Sequence, residues 1–252
     1  MEKYFTVNSN GCSIGCKLYT DDPSSVTAVV LFGPGFSGNR DNKPAEKLAK
    51  RLISKNRGVA LITFDLPCHG SDVRKTLRLD DCDLYVDEMI AHIKASYPSA
   101  ELYGCGTSFG GYLLLKHISE KGSPFKKLCL RCPAVNMYEV ITGTIMTDDD
   151  LKKLEKGKPV LVGFDSKIRL DKAFVESLKE ADITKRDLLD LAEDILIVHG
   201  TNDEVVPFGT VRDFADNNLI EFDAVEGADH KFRDPLKMDH VIKRFSAFFG
   251  MK

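Results

Sequence analysis

A serine flanked by glycines is the strongest candidate for chemistry in this sequence. The run Gly106-Thr-Ser108-Phe-Gly110 directly follows the apolar residues Leu102 to Cys105 and precedes Gly111-Tyr-Leu-Leu-Leu. The pattern G-x-S-x-G between a strand and a helix is typical of a nucleophile held on a sharp turn, with glycines where larger side chains would collide. The turn also places the hydroxyl near the positive end of a helix. Ser108 is therefore the predicted nucleophile, and the flanking elements argue against an ordinary glycine-rich turn.

The sequence also holds an acid and a histidine in the chain order that such a serine needs. A serine hydroxyl is activated by a histidine, which a carboxylate orients, and the expected order is Ser, Asp or Glu, His. Asp203 lies in a loop after the apolar strand Ile195 to Val198, and His230 follows another predicted strand. We predict Asp203 as the acid, with Glu204 as its nearest rival, and His230 as the base. Packing or solvent contact is expected of the other histidines, which are His69, His92, His117, His199 and His240.

A glycine-rich loop near the N-terminus could bind the oxyanion that forms during acyl transfer. This loop, Gly33-Pro-Gly35-Phe36-Ser-Gly38, follows an apolar strand. We predict that the backbone N–H groups of Phe36 and Phe109 form the oxyanion hole, where losing one donor costs about 3 kcal/mol of transition-state stabilisation.

The same loop also matches G-x-G-x-x-G, and Asp65 ends the next strand, as in a dinucleotide-binding fold. A helix that begins only after Arg40 argues against that alternative, which also leaves Ser108 without a role.

Alternating strands and helices must position these residues. Buried parallel strands are predicted by the apolar runs Ala28 to Phe32, Val59 to Phe64, Leu102 to Cys105, Leu128 to Leu130 and Ile195 to Val198. Amphipathic helices are predicted around Ala45 to Ile53, Cys82 to Ile93 and Val241 to Phe249. Tyr4 to Val7 and Ser13 to Leu18 flank an Asn-Gly turn, which predicts an antiparallel hairpin at the edge. The fold class is therefore α/β, with a mostly parallel, doubly wound sheet.

One segment interrupts this alternation. Residues 133–186 contain a possible short strand at Pro159 to Phe164 and a possible helix at Asp171 to Glu180, with Ala173, Phe174 and Leu178 facing inward. We interpret the segment as a small lid inserted into a core formed by residues 1–132 and 187–252.

Composition limits the partners. A net charge of −3 without a basic stripe argues against nucleic acid. No apolar run is long enough for a membrane span or a signal peptide, so we expect a cytoplasmic protein. Seven cysteines, an odd number, are expected to be reduced, and Cys129-Leu-Arg-Cys132 lacks a second pair at zinc spacing. We expect no metal or organic cofactor. The sequence leaves open whether the protein forms a homodimer.

With these residues in view, the chain resembles the α/β-hydrolase superfamily over nearly its full length. Within it, Gly35-Phe-Ser-Gly-Asn-Arg40, Gly227-Ala-Asp-His-Lys-Phe232 and the insertion after Cys132-Pro-Ala look like the bacterial cinnamoyl and feruloyl esterases. That resemblance implies that Tyr138 and Glu139 of the insertion hold a substrate's phenolic hydroxyl. Pro34 departs from the family, in which the loop usually begins His-Gly-Phe.

The sequence therefore predicts a serine carboxylic-ester hydrolase that forms an acyl-enzyme on a small-molecule ester, such as a hydroxycinnamoyl ester or another small acyl ester. Thioesterases, lipases, peptidases and acyltransferases share this machinery and remain alternatives. A ligand-binding protein with a vestigial triad is an alternative of a different class.

Overall fold

The computed structural model of the protein describes residues 1–251 and has an eight-stranded sheet at its centre. The strands of this sheet are β1 (Glu2–Ser9), β2 (Cys12–Thr20), β3 (Ala28–Gly33), β4 (Val59–Phe64), β5 (Glu101–Thr107), β6 (Leu128–Arg131), β9 (Ile195–Gly200) and β10 (Glu221–Val225). Their order across the sheet is β1-β2-β4-β3-β5-β6-β9-β10. Two pairings, β1 with β2 and β2 with β4, are antiparallel, and the others are parallel. The predicted mostly parallel sheet with an antiparallel N-terminal hairpin at its edge is confirmed.

The N-terminal hairpin depends on its turn. Asn10 and Gly11 both have positive φ, at 45° and 75°. These angles suit a two-residue hairpin turn, and Asn-Gly adopts them readily. The turn sets the register, in which Ser9 faces Cys12 and Glu2 faces Tyr19.

Helices cover both faces of the sheet, which explains why β3, β4 and β9 are buried at every position. Along β3, Val30 and Phe32 face one apolar core, and Val29 and Leu31 face the other. The first core lies under α1 (Lys43–Lys55) and α8 (Pro235–Phe248). The second lies under α2 (Leu79–Ser96), α3 (Phe109–Lys121) and α7 (Phe208–Asn217).

The segment between β6 and β9 has small elements of its own. They are α4 (Met137–Glu139) with a π-helical continuation (Val140–Ile145), α5 (Asp148–Glu155), the hairpin of β7 (Val160–Val162) and β8 (Ile168–Leu170), α6 (Lys172–Glu180) and two 3₁₀ helices (Ile183–Lys185 and Leu189–Asp194). The expected short strand and helix are both present. Ala173 is exposed rather than inward, because α6 buries the stripe Phe174, Val175 and Leu178. That residues 133–186 act as a lid stays a prediction.

No helix within residues 1–251 is long and apolar enough to cross a membrane. The seven cysteines are free, and all except Cys68 are buried.

Candidate active site

Ser108 stands at the junction of β5 and α3 in a strained conformation. It is the N-cap of α3, with φ 52° and ψ −116°. Few residues other than glycine adopt positive φ, and such strain clusters at functional sites. The Ser108 N–H donates to the carbonyl of Arg131 at 3.0 Å, which ties the turn to the neighbouring strand β6. The serine is therefore held on the sharp turn that the sequence predicts.

The two glycines of the motif are required by close backbone approach. A Cβ on Gly106 would lie 2.8 Å from Cα of Gly111. A Cβ on Gly110 would lie 2.2 Å from the carbonyl oxygen of Gly33. Real Cβ atoms are not found at such distances, so a side chain at either position would force the surrounding backbone to shift.

Asp203 and His230 meet in loops that follow β9 and β10. Nδ1 of His230 donates to Oδ2 of Asp203 at 2.8 Å. The N–H groups of Val205 and Val206 donate to the other oxygen, Oδ1, at 2.9 and 2.8 Å. With its proton on Nδ1, a neutral His230 leaves Nε2 free to accept a proton.

His199 also contacts the acid, which sequence reasoning missed. It lies within β9 rather than after it, and Nε2 is 3.2 Å from Oδ2 of Asp203 and 3.1 Å from the carbonyl of Val206. An Nε2 between two acceptors must carry the proton. His199 does pack as expected, with its ring stacked on Phe222, but it also holds the carboxylate.

These contacts determine the charge of Asp203. Burial alone would raise the pKa of this carboxyl, whose side chain is fully buried. Hydrogen bonds from His199, His230 and the Val206 amide outweigh burial and hold the pKa well below its usual range. Asp203 is therefore ionised at neutral pH.

Glu204, the rival acid, has a different place. Its Oε2 accepts the backbone N–H of His230 at 3.1 Å, and the side chain is exposed. Glu204 thus contacts the backbone of His230 rather than its imidazole.

Ser108 and His230 line one small cavity of about 110 Å³ together with Gly35 and Phe36. A Cβ on Gly35 would lie 3.5 Å from Cβ of Ser108, so the loop after β3 packs directly against the serine. Phe109 is the first residue of α3, where a backbone N–H has no partner within the helix. The two predicted oxyanion donors therefore belong to segments that adjoin Ser108.

The side chains of the same two residues pack against each other. The rings of Phe36 and Phe109 meet edge to face with centroids 5.9 Å apart. Phe36 also meets the buried His69 ring edge to face, with centroids 5.7 Å apart. These contacts hold the loop that carries the Phe36 amide.

The structure does not bring Tyr138 and Glu139 to this cavity. Tyr138 lines a separate cavity of about 450 Å³ between α5 and α6, where Nζ of Lys179 lies 5.8 Å from its ring centre. Glu139 is exposed. The orientation of α4 therefore gives no support to the predicted substrate contacts.

Other residues line the Ser108 cavity that sequence reasoning did not single out. Phe164 and Asp165 come from the loop between β7 and β8, which is fastened to the oxyanion loop by the Phe164 N–H bond to Oγ of Ser37 at 3.1 Å. Arg131 ends β6, and Lys231 follows the histidine. The sequence signal for Lys231 is its place directly after His230. No local sequence pattern marks Phe164, Asp165 or Arg131 as residues of the site.

The dinucleotide alternative does not fit the structure. The carboxylate of Asp65 accepts hydrogen bonds from the backbone and side chain of Arg40 and from Ser71. Asp65 therefore braces the loop and is not available to a ribose.

Ligand atoms of Cys132, Asp203 and His230 lie within 4.8 Å of one another, which raises the question of a metal. Burial raises the pKa of the Cys132 thiol well above its ordinary value, and metals bind the thiolate. Asp203 and His230 are already hydrogen-bonded to each other. The group therefore fits a hydrogen-bonded pair beside a neutral thiol better than a metal site.

Most of the chain matches a known protein family. Residues 53–252 match the sequence profile of the Prolyl oligopeptidase family.

Solved structures with the same fold cover almost the whole chain. Est1E from Butyrivibrio proteoclasticus with bound ferulic acid has a TM-score of 0.77 at 17% identity, covering 98% of this chain and 99% of that one. The soluble variant of monoglyceride lipase from Saccharomyces cerevisiae has a TM-score of 0.75 at 14% identity, covering 99% and 94%. Mouse alpha/beta hydrolase domain-containing protein 10 has a TM-score of 0.70 at 18% identity, covering 98% of each chain. The predicted α/β-hydrolase fold is confirmed.

Proposed function

The chain belongs to the prolyl oligopeptidase family and is a serine hydrolase; from that premise we propose that it cleaves carboxylic esters through an acyl-enzyme on Ser108. One observation carries the proposal. Ser108, on a strained turn, lines a cavity with His230, whose Nδ1 is bonded to a fully buried carboxylate.

The proposed first step forms the acyl-enzyme. Oγ of Ser108 attacks the ester carbonyl carbon while Nε2 of His230 accepts the hydroxyl proton. The N–H groups of Phe36 and Phe109 bind the oxyanion of the tetrahedral intermediate. When the intermediate collapses, the C–O bond to the alcohol breaks and His230 returns the proton to the leaving oxygen.

Water completes the cycle. His230 takes a proton from a water molecule, the resulting hydroxide attacks the acyl carbon, and Ser108 recovers its proton as the acid leaves. Throughout, the carboxylate of Asp203 stabilises the imidazolium and keeps the ring in the tautomer with the proton on Nδ1.

A hydroxycinnamoyl ester is the finer proposal for the substrate. It is supported by the fold shared with Est1E, which was solved with ferulic acid. Phe164, from the insertion, and Phe36 line the Ser108 cavity and could contact an aromatic acyl group.

Peptide hydrolysis is a second candidate, because the matching family is named for an oligopeptidase. The same triad and oxyanion hole cleave amides as well as esters. The two activities are distinguished by the leaving group, which is an alcohol in one case and an amine in the other.

The test compares wild-type protein with Ser108→Ala on three substrates: para-nitrophenyl butyrate, methyl ferulate and prolyl para-nitroanilide. Ser119→Ala is the matched control, because Ser119 lies on the same helix α3 and its hydroxyl bonds the carbonyl of Lys116 within that helix. We expect wild type and Ser119→Ala to cleave the butyrate ester and to react with a fluorophosphonate probe, and Ser108→Ala to do neither.

Each other outcome has a distinct meaning. Cleavage of the anilide at a rate comparable to the esters would favour the peptidase. Cleavage of the butyrate without methyl ferulate would remove the hydroxycinnamoyl substrate and keep the mechanism. A wild-type protein that fails to react with the fluorophosphonate would overturn the proposal and favour a ligand-binding protein with an inactive triad.

A further inference from the structure

A second cavity of about 540 Å³ adjoins the cavity that Ser108 lines. The two cavities share lining residues, which are Gly38, Asn42, Arg131, Asp165 and Lys231. A substrate bound at Ser108 can therefore place one arm in the larger space. We call this larger cavity the basic pocket, because most of the charged residues that line it are cations.

Cations outnumber carboxylates in the lining of the basic pocket. The cations are Lys43, Lys47, Arg131, Lys231 and Arg233, and the carboxylates are Asp41 and Asp165. Several of these charges are already paired: Lys231 with Asp165 at 3.6 Å, Asp41 with Lys17 at 3.2 Å, and Arg233 with Asp229.

Three cations remain without an ion pair among residues 1–251, namely Lys43, Lys47 and Arg131. Lys43 and Lys47 lie one turn apart at the start of α1, and both are exposed. The basic pocket therefore has a surplus of positive charge that no carboxylate in the described part of the chain pairs with directly.

Arg131 is the most informative of the three. Its side chain belongs to a residue only 6% exposed, and one nitrogen, Nη1, donates to the carbonyl of Lys231 at 3.0 Å. Nε is buried and has no hydrogen-bond partner among the described residues. A guanidinium stays charged in proteins, and a buried charge without a direct counter-ion is costly. Asp203 and Asp229 interact with Arg131 only beyond ion-pair distance, and its guanidinium carbon lies 5.6 Å from the centre of the Phe232 ring. An anion supplied by a ligand would offset that cost.

The position of Arg131 relates it to the reaction. It ends β6, its carbonyl accepts the N–H of Ser108, and the residue lines both cavities. A guanidinium there can donate a hydrogen bond to an anion while the ester carbonyl lies at Ser108.

We propose that the basic pocket binds an anionic group, a carboxylate or a phosphate, on one arm of the ester that Ser108 cleaves. The inference rests on the proposed function and narrows its substrate to esters with a negatively charged arm. Arg131 binds the anion at the boundary of the two cavities, and Lys43 and Lys47 attract it from the open side.

Two matched pairs of esters test the proposal, one for each arm. The acyl arm is tested with mono-para-nitrophenyl glutarate against para-nitrophenyl pentanoate. The alcohol arm is tested with para-acetoxybenzoate against para-acetoxybenzamide. In each pair only the charge of the distal group changes substantially.

The protein variants isolate the basic pocket. Lys43→Gln/Lys47→Gln removes two charges that line it. Lys50→Gln/Lys55→Gln removes two charges from the same helix at exposed positions outside it. The measured quantity is the ratio of kcat/KM for the anionic ester to that for the neutral ester.

We expect wild type to prefer the anionic ester about tenfold in at least one pair. Lys43→Gln/Lys47→Gln should lose most of that preference, Lys50→Gln/Lys55→Gln should keep it, and added salt should weaken it. The proposal would be overturned if wild type hydrolysed the neutral ester of both pairs at least as efficiently as the anionic one. It would also be overturned if Lys43→Gln/Lys47→Gln left the ratio of kcat/KM values unchanged.

Failure of the proposed function is recognised separately. If none of the four esters is hydrolysed, the melting temperature is measured with and without glutarate and inorganic phosphate. A rise in wild type and in Lys50→Gln/Lys55→Gln, but not in Lys43→Gln/Lys47→Gln, would support the anion site without esterase activity. No rise in any protein would overturn the site as well.

Discussion

His199 and His230 contact the same oxygen of Asp203. Nε2 of His199 lies 3.2 Å and Nδ1 of His230 lies 2.8 Å from Oδ2. The second histidine therefore restrains the carboxylate from the side of β9, while His230 faces the cavity with Ser108.

Replacing His199 with phenylalanine should impair catalysis without disrupting the fold. Phenylalanine keeps an aromatic ring beside Phe208 and Phe222 but removes the donor to Asp203. We expect kcat/KM to fall about tenfold, the range of one hydrogen bond to a charged group.

His240→Phe is the control for this prediction. His240 also pairs with an aspartate, Nε2 to Oδ2 of Asp223 at 2.8 Å, but on the exposed side of α8. Its replacement should leave kcat/KM unchanged. Identical behaviour of His199→Phe and wild type would contradict a positioning role for His199.

Asp203→Asn should change how stability depends on pH. The folded pKa of Asp203 is lowered, so the carboxylate stabilises the fold fully above the unfolded value, about 3.9, and less as pH falls below it. We expect the variant to be less stable than wild type near neutral pH, with a gap in the free energy of unfolding that shrinks below about pH 4. Urea unfolding of both proteins across that range measures the gap.

Asp149→Asn provides the reference, since the Asp149 side chain is 74% exposed and pairs with Lys153 on the same helix. The free energy of unfolding of Asp149→Asn should differ little from that of wild type at every pH. A gap for Asp203→Asn that grows as pH falls would reverse the predicted sign and refute the assignment of a stabilised carboxylate.

Local motifs explain why much of the site was predictable. The turn at Ser108 depends in part on the close contact of Gly106 with Gly111 and on the approach of Gly110 to Gly33, which begins the predicted oxyanion loop. Asp203 follows a fully buried strand, so its position at the carboxyl edge of the sheet follows from topology. The strand and helix pattern that places these loops is strongly periodic, and the predicted fold is confirmed.

The remaining parts of the site depend on tertiary packing. Arg131 ends an apolar strand, and nothing in that pattern indicates a buried cation next to Ser108. Phe164 reaches the cavity only because the β7–β8 loop bonds Ser37, which is distant in sequence. Conversely, the sequence shows that Tyr138 belongs to the insertion but does not show that α4 places its side chain against α6.

Phe36→Leu should lower kcat because the ring supports the loop that carries the proposed oxyanion donor. Leucine loses the edge-to-face contacts with Phe109 and His69, and the loop can then move relative to Ser108. We expect kcat to fall about tenfold, less than the loss expected on removing a donor outright.

Phe249→Leu controls for packing alone. Phe249 is similarly buried and meets Tyr103 edge to face at 5.1 Å in the other core. Both variants should lose about 1 kcal/mol of stability, but only Phe36→Leu should lose activity. Equal kcat values for the two variants at equal stability would show that the Phe36 ring does not support the reaction.

Gly110→Ala should damage both stability and activity. The new methyl group would lie 2.2 Å from the carbonyl oxygen of Gly33 and 2.5 Å from that of Pro34, so α3 must move away from the oxyanion loop. We expect a loss of about 1–3 kcal/mol in the free energy of unfolding. The same movement separates Ser108, at the start of α3, from the loop that carries Phe36, so kcat/KM should fall even where the variant is fully folded.

Gly209→Ala is the matched control, because Gly209 lies in α7 and a methyl group added there would have no other described residue within 4 Å beyond its own helix and chain neighbours. An alanine there should increase stability by up to about 1 kcal/mol and leave activity unchanged. Chemical denaturation and kcat/KM of both variants measure the difference, and a Gly110→Ala protein with wild-type values for both would mean that the close approach of α3 to Gly33 is not needed at the site.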